Sequence, residues 1–166
     1  AGSSHDLVRQ TSEIFSPSGI LSRSKNFEFR PQQQEMAVAV ARALENGEHL
    51  AVEAGTGVGK SLAYLVPGIL YAVANKKKAV VCTHTINLQE QLTQKDLPML
   101  EQILPVKFTF TMLKGRANYL CTQRFVASYA AGLGDPDFAH LGAAMLLWLP
   151  ETETGDRSEL SLDQDD

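Results

Sequence analysis

The run Ala54-Gly55-Thr56-Gly57-Val58-Gly59-Lys60-Ser61 carries the densest chemical signal in the chain. Gly55, Gly57 and Gly59 can take positive φ and have no side chain to hold a ligand away from the backbone. Lys60 adds a mobile cation and Ser61 a hydroxyl suited to Mg²⁺. A turn of this kind, opening a helix at Gly59 and Lys60, aims successive N–H groups at one point and suits the phosphates of a nucleoside triphosphate. The spacing matches G-x-x-x-x-G-K-[ST] except that Ala54 stands at the first glycine, where alanine tolerates most backbone shapes. An ordinary glycine-rich strand-to-helix turn is the plain alternative.

Three further groups can bind. Gln33, at the start of a helix, offers an acceptor and donors, the pairing that an adenine edge requires, although a glutamine there can equally be solvated. Residues 83–91 gather Thr83, His84, Thr85, Asn87 and Gln91 at a strand-to-helix junction, where hydroxyls, amides and helix-start N–H groups suit a sugar-phosphate backbone. The same residues also describe a capped helix with Thr83 or Thr85 as N-cap. Residues 113–121 hold Lys114, Gly115, Arg116, Asn118, Tyr119 and Cys121. Lys114 and Arg116 can touch phosphates and Tyr119 can stack on a base, or the stretch is a turn with Tyr119 and Cys121 in the core of the helix that follows.

Periodicity supplies the elements that must hold these groups. A short apolar strand ends at Glu53, residues 79–83 form a second strand without polar alternation, and residues 106–112 alternate with period two as a third. Helices are expected from Pro31 to Asn46, with Gly47 stopping the run, from Lys60 to Asn75 with Pro67 inside it, over 96–104, over 122–131 and over 135–149. The last carries Phe138, Leu141, Met145 and Trp148 as a core-facing stripe. Strands alternating with helices make the fold α/β, a βαβαβ parallel sheet. Ligands bind such a sheet beyond the carboxyl ends of its strands, so residues 83–91 are expected to share one rim with Lys60. Cys82, mid-strand, reads as core packing, and the lysines at 76–78 as a solvated turn.

The chain of 166 residues is 44% hydrophobic, enough for one domain with a core. Its formal charge of -4 hides a division, because residues 151–166 carry a net -6 and residues 1–150 a net +2. A mildly basic body does not repel nucleic acid, and the acidic stretch is too poor in apolar residues to pack alone. Two cysteines make no disulfide framework, and no signal peptide or membrane-length apolar run is present, which points to the cytoplasm. Residues 1–26 form a lead-in draped over the domain, its first five residues resembling a cloning remnant.

Taken together, four blocks resemble the superfamily 2 DNA helicases of the XPD/DinG type, the iron-sulfur helicases. These are Arg30-Pro31-Gln32-Gln33, the run from Glu53 to Ser61, Thr83-His84-Thr85 through Gln91-Leu92, and Lys114-Gly115-Arg116-Ala117-Asn118-Tyr119-Leu120-Cys121. The resemblance implies a RecA-like P-loop three-layer sandwich over 27–113, present in part, the start of a helical iron-sulfur insertion over 114–150, and an acidic tail over 151–166. It implies that Gln33 reads adenine, that residues 54–61 bind ATP with Lys60 on the β- and γ-phosphates and Ser61 on Mg²⁺, and that residues 83–91 meet single-stranded DNA, a ligand that Lys114, Arg116 and Tyr119 are expected to share on their own chemistry. It makes Cys121 the first of four thiolate ligands to a 4Fe-4S cluster. Three further cysteines and an Asp-Glu-x-His segment do not occur here, so the ligand belongs to a longer protein and this chain alone is expected to hydrolyse ATP poorly. A monomer is favoured. A P-loop ATPase or kinase without a nucleic-acid partner, and a truncated motor lobe serving as a binding module, stay open as alternatives.

Overall fold

A computed structural model describes residues 6–24, 27–132 and 136–160, without the side chains of residues 137 and 138. The proposed cloning remnant therefore lies outside the described residues, as do the Phe138 side chain and the last six residues of the acidic stretch. The chain divides into two compact units, Ala1–Met112 and Leu113–Asp166.

The first unit is built on two helices of equal length. Helix α2 spans Pro31–Asn46: proline suits its first position because the ring presets φ and the missing N–H would have no partner there. Gly47, at φ +67°, ends it in the left-handed conformation and donates its N–H to the Ala43 carbonyl. Helix α3 spans Lys60–Asn75 and continues through Pro67, which is fully buried. Ala37 and Ala41 on α2 and Ala63 on α3 have no exposed surface, and such small side chains let two helix backbones approach closely. Helix α1, Asp6–Ile14, packs across both, and the chain then turns back so that Phe15 and Leu21 are buried in the same core. The lead-in is thus part of the core.

Helix α4, Ile86–Gln91, runs into a π-helical turn, Leu92–Asp96, and then into α5, Leu97–Ile103. Leu92, Leu100 and Leu104 from this run join the core of Leu65, Val66, Ile69 and Leu70 on α3. In the second unit, α6 spans Thr122–Gly132 and α7 spans Pro136–Trp148, with Phe125 buried on α6. Leu141 is exposed, so the expected stripe on α7 is not uniformly core-facing.

The α/β expectation is overturned. Among the described residues there is no β-strand, and hence no parallel sheet and no RecA-like sandwich; the regular structure is helical, apart from one isolated bridge between Tyr119 and Asp156. Residues 49–55, 77–83 and 107–115 carry no regular structure. Most of their apolar side chains stay out of the core: Leu50, Val52, Val80, Val81 and Phe110 are exposed, whereas Phe108 is half-buried against it. A strand exists only through the hydrogen bonds of its neighbours, so an apolar or alternating pattern is necessary for one and insufficient. Cys82, expected in a strand core, is exposed as well.

Candidate nucleotide and nucleic-acid sites

Helix α3 begins without a side-chain cap. Its N-cap is Gly59, at φ +82° and ψ +41°, and Gly57 shares the positive φ. The left-handed conformation swings the chain sharply into the helix, and the first-turn N–H groups, which have no partner within a helix, are not covered by a neighbouring side chain. A helix start of this kind suits an anion. Gly55, Thr56 and Gly57 are exposed, Ala54, Val58, Gly59 and Ser61 are half-buried, and a β-carbon at Gly55 or Gly57 would meet open space. The Lys60 ammonium folds back over the loop, donating to the Ala54 carbonyl at 2.8 Å and the Gly55 carbonyl at 3.2 Å. Three N–H bonds on an ammonium leave one more for a ligand.

Gln33 is buried, at 4% exposure, and its Nε2 donates to the Gly59 carbonyl at 2.9 Å. The residue expected at adenine is therefore tied into the loop's hinge: it joins α2 to the N-cap of α3. A β-carbon at Gly59 would run into that same Nε2. Spacing alone did not disclose this link, because the partner lies 26 residues on.

Around α4, Thr85 is the N-cap, and its hydroxyl accepts the Leu88 N–H at 3.3 Å. The Thr83 hydroxyl donates to the Thr85 carbonyl at 3.2 Å. Both hydroxyls thus serve the turn, while His84, Asn87 and Gln91 present exposed side chains. Gln91 also donates to Asp96 Oδ2 at 3.4 Å, a long bond. Burial pushes the Asp96 carboxyl above its ordinary range, ahead of the opposing pull of Gln91 and Lys95. With no sheet among the described residues, the strand-end rule no longer places residues 83–91 beside Lys60; α3 meets the π-helical turn that follows them.

In the second unit the expected cations separate. Arg116 is exposed at the head of a 3₁₀ turn, Arg116–Asn118. Lys114 is buried in an ion pair with Asp156 at 2.7 Å. The Tyr119 hydroxyl accepts the Lys114 N–H at 2.8 Å, which ties the residue expected to stack on a base into the turn. The Lys114 partner was missed from sequence; the only signal was a Thr-Gly-Asp run inside a stretch read as too polar to pack. Cys121 is exposed. The cluster chemistry does not fit the chain itself, which has two cysteines where four thiolates or an equivalent set are needed. Among the described residues no group of three or more His, Cys, Asp or Glu could hold a metal ion, and no helix is long and apolar enough to cross a membrane.

The family model for DEAD/DEAH box helicases matches residues 30–124. The chain is 41% identical over 156 residues to the ATP-dependent DNA helicase YoaA of Haemophilus influenzae, covering 93% of this chain and 24% of that protein. It is 44% identical over 149 residues to the ATP-dependent helicase DinG of Mycobacterium tuberculosis, covering 79% and 22%. To the 3'-5' exonuclease DinG of Bacillus subtilis it is 38% identical over 136 residues, covering 82% and 15%. The chain thus spans a quarter or less of the length of these relatives. Joined to an uncapped, glycine-hinged helix start followed by lysine and serine, these matches show that the chain belongs to the DEAD/DEAH box helicase family and is homologous to the superfamily 2 DNA helicases of the DinG/YoaA type.

Proposed function

We propose that this chain is the nucleotide-binding portion of an ATP-dependent DNA helicase that couples ATP hydrolysis to movement along single-stranded DNA and to duplex separation. One observation carries the reading: the helix start at Gly59 is uncapped, Gly57 and Gly59 hold the left-handed conformation, and an uncapped helix start favours an anion. The amides of residues 55–59 hold the triphosphate. Lys60 moves from the Ala54 and Gly55 carbonyls to the β- and γ-phosphates, where it stabilises developing charge. The half-buried Ser61 hydroxyl, one residue into α3, suits a Mg²⁺ that takes its other ligands from phosphate oxygens and water. Gln33 acts from behind the loop, holding Gly59, so that its effect on ATP runs through the hinge as well as through any contact with the base.

Single-stranded DNA is the proposed second ligand. Exposed His84, Asn87 and Arg116 are the groups proposed to meet it, with exposed Gln91 joining them by giving up its long bond to Asp96, and none requires a particular base. Residues 27–113 form the motor portion in this reading and residues 114–150 a helical portion attached to it; Cys121 contributes to a cluster only with thiolates from the rest of a longer protein.

The deciding experiment uses the full-length protein. Lys60→Ala is expected to abolish ATP hydrolysis, a loss of at least about a hundredfold for removal of one preorganised charge contact, while single-stranded DNA binding persists. Equal loss of both activities overturns the division of labour. ATP hydrolysis that single-stranded DNA does not stimulate favours an ATPase without a nucleic-acid partner.

A further inference from the structure

Lys114 sits in a polar clasp. Its side chain is 2% exposed and that of Asp156 9%, and Nζ lies 2.7 Å from Oδ2. The same ammonium donates to Ser158 Oγ at 2.9 Å, and Asp156 Oδ1 accepts the Ser158 N–H at 3.0 Å, so Ser158 closes a ring with the ion pair. The backbone follows the same path: the Lys114 N–H donates to the Tyr119 hydroxyl at 2.8 Å, Tyr119 bridges antiparallel to Asp156, and the Leu120 N–H donates to the Gly155 carbonyl at 2.9 Å. Thr152 and Thr154 stiffen the other side, accepting the Gly155 and Asp156 N–H groups at 2.8 and 3.0 Å. A lysine held this way reaches a phosphate only by leaving a buried carboxylate without its cation, which is strongly unfavourable. Arg116, two residues along, has an exposed side chain.

We infer that the two cations of the Lys-Gly-Arg run have different tasks: Lys114, through its buried pair with Asp156, is a positioning residue that pins the turn to residues 152–159, and Arg116 is the cation offered to the DNA backbone. The inference rests on the DNA-binding reading above for the role of Arg116, whereas the pin stands on the second unit alone.

Counterion release separates contact from support, because a lost phosphate contact lowers the salt dependence of binding and a lost internal pair does not. The probe is labelled oligothymidylate, titrated with this chain across a range of KCl concentrations. Arg116→Ala is expected to reduce the log–log salt slope by about 0.7, the value for one phosphate on a single strand. The double variant Lys114→Met, Asp156→Leu, which replaces the ion pair with apolar contact, is expected to keep the wild-type slope. A slope reduced by the double variant as much as by Arg116→Ala overturns the inference. Hydrogen exchange gives a readout independent of DNA: Asp156→Asn is expected to speed exchange of the Leu120 and Ser158 amides by about tenfold or more, with Arg116→Ala leaving both unchanged. Unchanged exchange in Asp156→Asn also overturns the pin, and it decides the matter should the double variant not fold. If wild-type chain does not bind the oligomer while the exchange result holds, the DNA reading and the task given to Arg116 fall, and the pin stands.

Discussion

Gly59 does two things that no other residue can do in its place. It holds φ +82° at the start of α3, and it leaves room for Gln33 Nε2 against its own carbonyl. An alanine there meets both constraints at once. The left-handed backbone costs about 1–2 kcal/mol for a residue with a β-carbon, and that carbon collides with the Gln33 amide and breaks its hydrogen bond. Gly59→Ala is therefore expected to lower stability by about 2–3 kcal/mol, the backbone cost plus one lost hydrogen bond, and, under the proposed nucleotide-binding role, to erase the melting-temperature rise expected with Mg·ATP. Adding Gln33→Ala relieves the collision but not the strain. The double variant should therefore melt above Gly59→Ala, and a double variant that melts below it would show that the two residues do not meet.

At the scale of elements, the π-helical turn Leu92–Asp96 is the feature with the clearest physical cost. It places Asp96 at 8% exposure with one long hydrogen bond from Gln91. Burial raises this carboxyl above its unfolded value, so the group favours the fold most when protonated, and that contribution is lost as pH rises through the folded pKa. Asp96→Asn removes the charge and keeps an acceptor for Gln91. Its stabilising effect, followed by urea unfolding, should be small near pH 4 and grow toward pH 7, reflecting the unfolded value of about 3.9 for aspartate; an effect that shrinks with rising pH contradicts the assignment. Nothing in the sequence marked this turn. The helices were legible because their signals are local: Pro31 and Gly47 bound α2, and Gly59 and Asn75 bound α3, where the structure has them. The turn at Gly57 and Gly59 was legible for the same reason, since positive φ there is a local property of glycine. What was not legible depends on partners far along the chain. Gln33 needs Gly59, Lys114 needs Asp156, and the apolar stretches at 49–53, 79–83 and 106–112 would have needed neighbours that pattern cannot guarantee.

At the scale of the whole molecule, the absence of strands among the described residues leaves apolar side chains where water reaches them. Val80 is 83% exposed in the first unit, beside Val81, and Leu113 is 80% exposed in the second. A side chain this exposed contributes little to folding, so replacing it should change stability by less than about 0.5 kcal/mol. It does contribute to the apolar surface that solvent, dyes and other molecules meet. Val80→Lys should accordingly leave the melting temperature unchanged and reduce the fluorescence of a bound apolar dye, and Leu113→Lys should do the same independently, since the two residues belong to different compact units. The prediction separates this architecture from the sheet that the alternating pattern suggested. In a paired, buried strand, a charged residue at position 80 would lie out of water without a partner and would destabilise the fold by several kcal/mol. A melting temperature that falls steeply on Val80→Lys would thus mean that residues 79–83 are buried.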